Sequence, residues 1–544
     1  MGATPGVPSG RLAEGPALRP RVVVADAIDP VGLAPLADRA ELIFRNGEAH
    51  DGLPELLRTA DALLVRSETK VSAELMAGAE RLKVIGRAGA GVDNIDVEAA
   101  TRRGIVVVNA PGGNTFAAAE HTMALLLAAA RQVPPADASL KQGEWRRADF
   151  VGVEVRGKVL GLVGLGRVGA EVARRAQGFD LKVIAHDPYV SDDHARRLGV
   201  EVADLRTVLE QADFVSLHTP LTEHTRGLIG AEQLGWLKPA AILVNCARGG
   251  LVDEAALLAA LEAGRLAGAA VDVFEKEPAG DNPLARHPKV VATPHLGAST
   301  VEAQTSVARQ VAEQVLQVLD GKPAQFAVNG PTLPPELAEV LHPYVELAQV
   351  LGRLATQLAV GQFRTVQVAV RGEVAAHDNG LLATAVLIGM LAPISGDPVS
   401  FVNARLVARG HGLEVVEEHS DEADDPYTNV VAVAVRTNRR GTRVAGTVVH
   451  GEPHIVGIDD YRLDLARPEG YLLLTHHRDQ PGMIGRVGTL LGQADVNISA
   501  MQVGRLEPRG EAIMVLAVDE PVPPAVLAQL RAVQNMADVR QVKL

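Results

Sequence analysis

Residues 158–187 read KVLGLVGLGRVGAEVARRAQGFDLKVIAHD. The apolar run VLGLV predicts a buried strand, and Arg167 to Gln177 carries apolar residues at helical spacing. Between them stand Gly164, Gly166 and Gly169. The first two allow a tight turn and close backbone approach to an anionic pyrophosphate, and the third lets helix and strand pack closely. The opening turn of the helix, at Arg167 and Val168, turns free N–H groups towards the phosphates. Asp187 ends the next strand about 20 residues on, where an acid accepts from ribose hydroxyls and repels a 2′-phosphate. The cofactor expected is NAD rather than NADP.

Outward from this unit the same rhythm continues. KVLGLVG, LKVIAHD, DFVSLHT, AAILVNC, LAGAAVD and VVATPHL predict a six-stranded doubly wound sheet. Upstream, RVVVAD, ADALLVR and RLKVIGR predict a second, smaller parallel sheet, followed by a helix over Thr115 to Arg131. A helix from Thr300 to Leu319 is expected to pack back on that first sheet, stopped by Asp320-Gly321-Lys322-Pro323. Pro331, Pro334 and Pro335 mark a linker. Beyond it, residues 336–467 form a mixed α/β region whose chemistry the sequence does not reveal, and residues 470–544 run β-α-β-β-α-β, the ferredoxin-like order. The expected division is a tail at 1–20, a substrate domain at 21–114 and 298–330, a nucleotide domain at 115–297, an intervening domain at 336–467 and a ferredoxin-like domain at 470–544.

Composition narrows the function. A net charge of −13 with no basic block argues against nucleic acid or an anionic membrane as partner. One cysteine, Cys246, rules out an intramolecular disulfide and a cysteine metal cluster; it reads as a small buried hydrophobe, and no metal is expected. The Gly- and Pro-rich first twenty residues read as a disordered tail lacking the apolar core of a signal peptide, and the longest apolar run, Met123 to Ala130, is too short for a bilayer. A soluble, cytoplasmic protein is expected.

Three polar residues then fall at successive strand ends, on the edge where such sheets bind ligands. Arg248 follows AILVNCA, Glu277 follows AVDVFEK, and His295 follows VVATP. A guanidinium grips a carboxylate and polarises a 2-keto oxygen. An imidazole takes a hydroxyl proton as hydride leaves, and a carboxylate beside it fixes its tautomer. Singly, each could be a loop charge or a turn former. Behind a nucleotide fingerprint they read as a catalytic trio.

These stretches, with NCARGGLVDEAAL, AVDVFEKEP and TPHLGASTVEAQ, resemble the signatures of the D-isomer-specific 2-hydroxyacid dehydrogenases from Arg21 almost to the end of the chain. The long type, with intervening and ACT domains, is the nearest in pattern. The resemblance implies that Arg248, Glu277 and His295 are catalytic. It implies that Asp272 lies near the nicotinamide, that Thr219 and Pro220 line the adenine pocket, and that Ala247 and Gly297 also meet the cofactor. Arg66 and Ser67 in VRSETK, the turn Gly89-Ala90-Gly91, and Asn114 would meet substrate, and Arg147 would reach a partner subunit's cleft. The implied reaction oxidises 3-phospho-D-glycerate to 3-phosphohydroxypyruvate, the first step of L-serine synthesis, with 2-hydroxyglutarate as a possible side substrate. A glyoxylate or hydroxypyruvate reductase and a non-enzymatic NAD-sensing scaffold are the alternatives. The ACT resemblance implies L-serine as effector, held by His477, Asp479 and Asn497, in a homo-oligomer, dimer or tetramer.

Overall fold

The computed structural model describes residues 19–45, 52–331, 333, 335–378, 380–395, 398–422 and 426–544; the tail expected before residue 19 and linker residue Pro334 lie outside them. Strand formation begins where β-branched and aliphatic residues run together. β1 (Arg21–Val24), β2 (Glu41–Phe44), β3 (Ala62–Val65), β4 (Val84–Arg87) and β5 (Val106–Asn109) form a parallel sheet in the order β2-β1-β3-β4-β5. The second sheet is also wholly parallel. It contains β6 (Val159–Val163), β7 (Lys182–His186), β8 (Glu201–Val202), β9 (Phe214–Leu217), β10 (Ile242–Asn245), β11 (Gly268–Val271) and β12 (Val290–Ala292), ordered β12-β11-β10-β9-β6-β7-β8. It has seven strands where six were expected. The extra one, β8, is two residues long and pairs with Ile184 and Ala185, too short to show a period in sequence.

Helix α1 (Thr115–Ala130) lies on the second sheet, and α2 (Arg167–Gln177) matches the helix read from the fingerprint. Helix α3 (Val301–Leu319) opens with the Thr300 hydroxyl accepting from Ala303 N at 3.1 Å, and it buries Val307, Val311 and Val315 against the first sheet.

The third sheet joins β13 (Phe363–Arg371), β14 (Glu414–Ser420), β15 (Val430–Thr437), β16 (Thr442–Val449), β17 (Glu452–Ile458) and β18 (Tyr461–Ala466), ordered β14-β13-β15-β16-β17-β18. Helix α4 (Pro335–Leu358) packs across it and against α5 (Leu381–Leu391), which is apolar on every side and buried. The last sheet is antiparallel: β19 (Tyr471–Arg478), β20 (Ile498–Arg505), β21 (Glu511–Val518) and β22 (Met536–Lys543) in the order β20-β21-β19-β22, the ferredoxin-like arrangement expected. One of its faces is covered by α6 (Met483–Gln493) and α7 (Pro524–Arg531). The other face is not exposed. Leu472, Leu474, Ile513, Val515 and Val542 join the hydrophobic core of the third sheet.

Gln314 on α3 shows how the first sheet is closed. Only 2% exposed, it donates to Asn109 O at 2.8 Å and accepts from Phe326 N at 2.7 Å. Gln314→Leu should therefore lose about 1–3 kcal/mol in urea unfolding, because two partly buried main-chain groups lose their partner.

Candidate active site

The carboxyl ends of the two parallel sheets face each other across a cavity of about 740 Å³. From the first sheet come Arg66, Ser67, Arg87, Gly89, Ala90 and Gly91; from the second come Arg248, Glu277 and His295, with Asn114 at the crossing. The sequence reading brought most of these together and missed Arg87. The missed signal was a charge ending the apolar strand RLKVIGR, the same pattern that had singled out Arg248.

Three guanidinium groups thus line one cavity. Arg66 is set by a tight turn in which Asp26 accepts from Arg66 N at 2.6 Å and from the Thr69 hydroxyl, while Asn94 donates to Arg66 O at 2.8 Å. Arg248 reaches Asp93 at 3.3 Å and donates to Ala247 O at 2.7 Å. Arg87 is mostly buried. Desolvation and then the neighbouring Arg248 push its guanidinium down to about 10, and its Nε has no hydrogen-bond partner. It stays cationic at neutral pH, so an arriving anion relieves both the repulsion and the missing bond. The glycines of the turn make room for these groups. A Cβ on Gly89 would lie 1.4 Å from Arg87 Nη1, and one on Gly91 would lie 2.4 Å from Arg248 Nη2.

His295 Nδ1 lies 2.8 Å from Glu277 Oε2. Burial disfavours charge on Glu277, but the bonds from His295 and from Phe274 N outweigh it and hold the carboxyl below its ordinary range. The ionised acid takes the Nδ1 proton's bond and leaves Nε2 with its lone pair towards the cavity. His295 sits at φ 55°, in the left-handed region. Such a backbone costs on the order of 1–3 kcal/mol unless its surroundings fix it. They do: Asp272, with no exposed surface, accepts from Leu296 N at 2.7 Å and Gly297 N at 2.9 Å, and its own carbonyl accepts from His295 N. The Asp272 carboxylate, expected to lie near the nicotinamide, is enclosed by protein donors beneath the His295 turn.

The nucleotide loop lies outside this cavity, along the same sheet edge. Gly164 takes φ 101°, and a Cβ there would meet His218 O at 2.6 Å. At Gly166 no protein atom lies within 4 Å of a built Cβ, so the space before the first turn of α2 is open to a phosphate. Asp187 accepts from Leu165 N at 2.8 Å and Tyr189 N at 2.9 Å at the end of β7. Thr219 Oγ1 is buried without a partner. These features fit a dinucleotide. Burial pushes the Cys246 thiol up to about 12, so it stays protonated; it is half-buried rather than fully buried.

Arg147 sits in an exposed turn away from its own chain's cavity. The effector residues are not gathered. His477, expected to hold the effector, is only 4% exposed and faces the helix-covered side of its sheet with Thr475 and Leu473. Asp479 accepts from Arg505 and from Arg509 N, whereas Asn497 donates to Asp519. The pairing of Arg478 with Glu511 and of Ile498 with Val518 puts the two at opposite sheet ends, roughly 20 Å apart.

The NAD binding domain of D-isomer specific 2-hydroxyacid dehydrogenases matches residues 123–297, the D-3-phosphoglycerate dehydrogenase intervening domain matches 340–459, and the ACT domain matches 471–535. The D-3-phosphoglycerate dehydrogenase of Methanocaldococcus jannaschii is 43% identical over 525 residues, 96% of this chain and 100% of that protein. The chain belongs to the D-3-phosphoglycerate dehydrogenase family. The family's member from Bacillus subtilis is also 43% identical, over 96% of this chain and 99% of its own. The TT0316 protein of Thermus thermophilus, a crystal structure, covers 57% of this chain and 99% of its own at 38% identity and a TM-score of 0.53. The family and its NAD binding domain make this chain an NAD-dependent dehydrogenase; the alternatives of a reductase or a scaffold find no support over the full length.

Because the Gly89 turn exists to accommodate Arg87, Gly89→Ala should raise KM for an anionic hydroxy acid at least about tenfold, the scale of a misplaced contact. NADH affinity, measured by fluorescence titration, should stay near the parent value.

Proposed function

We propose that this chain oxidises 3-phospho-D-glycerate to 3-phosphohydroxypyruvate in the cytoplasm, opening L-serine synthesis. One observation carries the reading: Arg66, Arg87 and Arg248 share a cavity with the His295–Glu277 pair. A carboxylate and a phosphate on a three-carbon acid need that much positive charge, and a monoanionic hydroxy acid does not.

The Gly164–Gly169 loop with Arg167 and Val168, together with Asp187, Thr219, Pro220, Ala247 and Gly297, would hold NAD, which would accept the hydride from C2. The chain's residues do the rest. Arg248 grips the carboxylate and the oxygen at C2, Arg66 and Arg87 hold the phosphate end with Ser67 and the Gly89–Gly91 turn, and Asn114 sits at the crossing. His295 Nε2 takes the C2 hydroxyl proton, and Glu277 stabilises the imidazolium that results. His295→Asn should lower kcat by about 10²-fold or more while leaving NAD binding nearly unchanged. Near-parental turnover in a coupled NADH assay would end the assignment.

The remaining surface supports a homo-oligomer. Trp145, 82% exposed beside Arg147, and Met501 and Val503 on β20 are apolar groups left for a second chain. L-Serine is proposed as the effector at such a contact. Because Asp479 and Asn497 lie so far apart within one chain, a single serine touching both would draw them from two chains. Serine should slow the full-length enzyme, and both Asp479→Ala and Asn497→Ala should relieve it. Unaltered inhibition in both variants would move the effector elsewhere.

A further inference from the structure

Two stretches carry the chain between the first and second sheets: residues 110–114, from β5 into α1, and residues 298–300, from the His295 turn into α3. Both stretches adjoin segments bonded to one carboxylate. His121, on the second turn of α1, places Nε2 3.1 Å from Asp272 Oδ1 and 3.1 Å from Thr293 Oγ1. Thr293 donates its hydroxyl to the same Asp272 oxygen at 2.6 Å. A carboxylate only accepts, and the Thr293 hydrogen is already committed, so His121 is the donor to both, from Nε2–H. From the other side, Leu296 N and Gly297 N donate to Asp272 just before the chain crosses back.

Burial works against a charge on Asp272, yet the donors from His121, Thr293 and Leu296 hold its carboxyl below the ordinary range. None of these donors is replaceable by solvent, since the carboxylate has no exposed surface. Loss of one leaves the buried charge with fewer donors and shifts those that remain, directly beneath the backbone that keeps His295 at φ 55°.

We infer that His121 is a positioning residue for the dehydrogenase reaction: acting through Asp272, it fixes the turn on which His295 accepts its proton and joins that turn to the helix that begins at the first crossing. The inference rests on the reading of His295 as proton acceptor. A histidine that merely satisfied a buried acid would, on removal, change stability without separating kcat from KM.

The test uses full-length enzyme with His121→Leu, His121→Gln, Thr293→Val and His295→Asn side by side. His121→Leu should lower kcat about tenfold or more, with KM for 3-phosphoglycerate held within about twofold, because the substrate cations are untouched. His121→Gln, whose side-chain amide can donate from a similar reach, should recover most of the loss. Thr293→Val should lower kcat in the same selective way and stands in if His121→Leu does not fold. Turnover in His121→Leu close to the parent, KM rising in step with the fall in kcat, or no recovery with glutamine would overturn the inference. If His295→Asn keeps its turnover, the reading beneath fails too. Loss in His295→Asn with none in His121→Leu or Thr293→Val overturns only the positioning role.

Discussion

A carboxylate removed from water must be surrounded by donors, and Asp272 meets that requirement by drawing them from two separate segments, a helix and a loop. The strand β11 ends on it, the helix α1 reaches it, and the loop after β12 folds around it. Much of the catalytic half depends on this arrangement. It sets the left-handed turn at His295, which in turn sets the distance to Glu277 and the direction in which Nε2 faces. The opposite wall is built on the contrary principle. Arg66, Arg87 and Arg248 are gathered beside Asp29, Glu68 and Asp93, with Arg248 repelling Arg87, and the glycine turn gives up side chains so that the guanidinium groups can crowd in. One wall is satisfied and rigid; the other is held ready for charge that the substrate brings.

The nucleotide sheet was readable because its strands are buried on both faces and so appear as unbroken aliphatic runs, with glycines where the loop must approach a phosphate. The two-residue β8 had no period to show, and β2 is partly exposed and short. The third sheet stayed opaque for a different reason. Its strands mix parallel and antiparallel pairing and share no single pattern, its helix α5 is a continuous apolar run that periodicity alone does not separate from a strand, and none of its residues forms a pattern of known chemistry.

At the site, Arg248, Glu277 and His295 were legible because each ends a strand on the ligand-binding edge. Arg87 does too, and was passed over because the adjoining glycines drew the reading to the backbone. The burial of His477 was not read from the turn but follows from the strand: in YLLLTHHR it shares its face with Leu473 and Thr475, and that face is covered. The separation of Asp479 from Asn497 depends on strand register, which spacing along the chain does not specify.

The ACT sheet buries Leu472 and Leu474 in the same core as Val433, Leu463 and the long helix α4, and Gln357 of α4 bonds both main-chain groups of Lys543 on its edge. Such a module is not an accessory that can be exchanged freely between enzymes. Grafted elsewhere, it would present a bare apolar face and an open strand edge unless its new host supplied a matching surface.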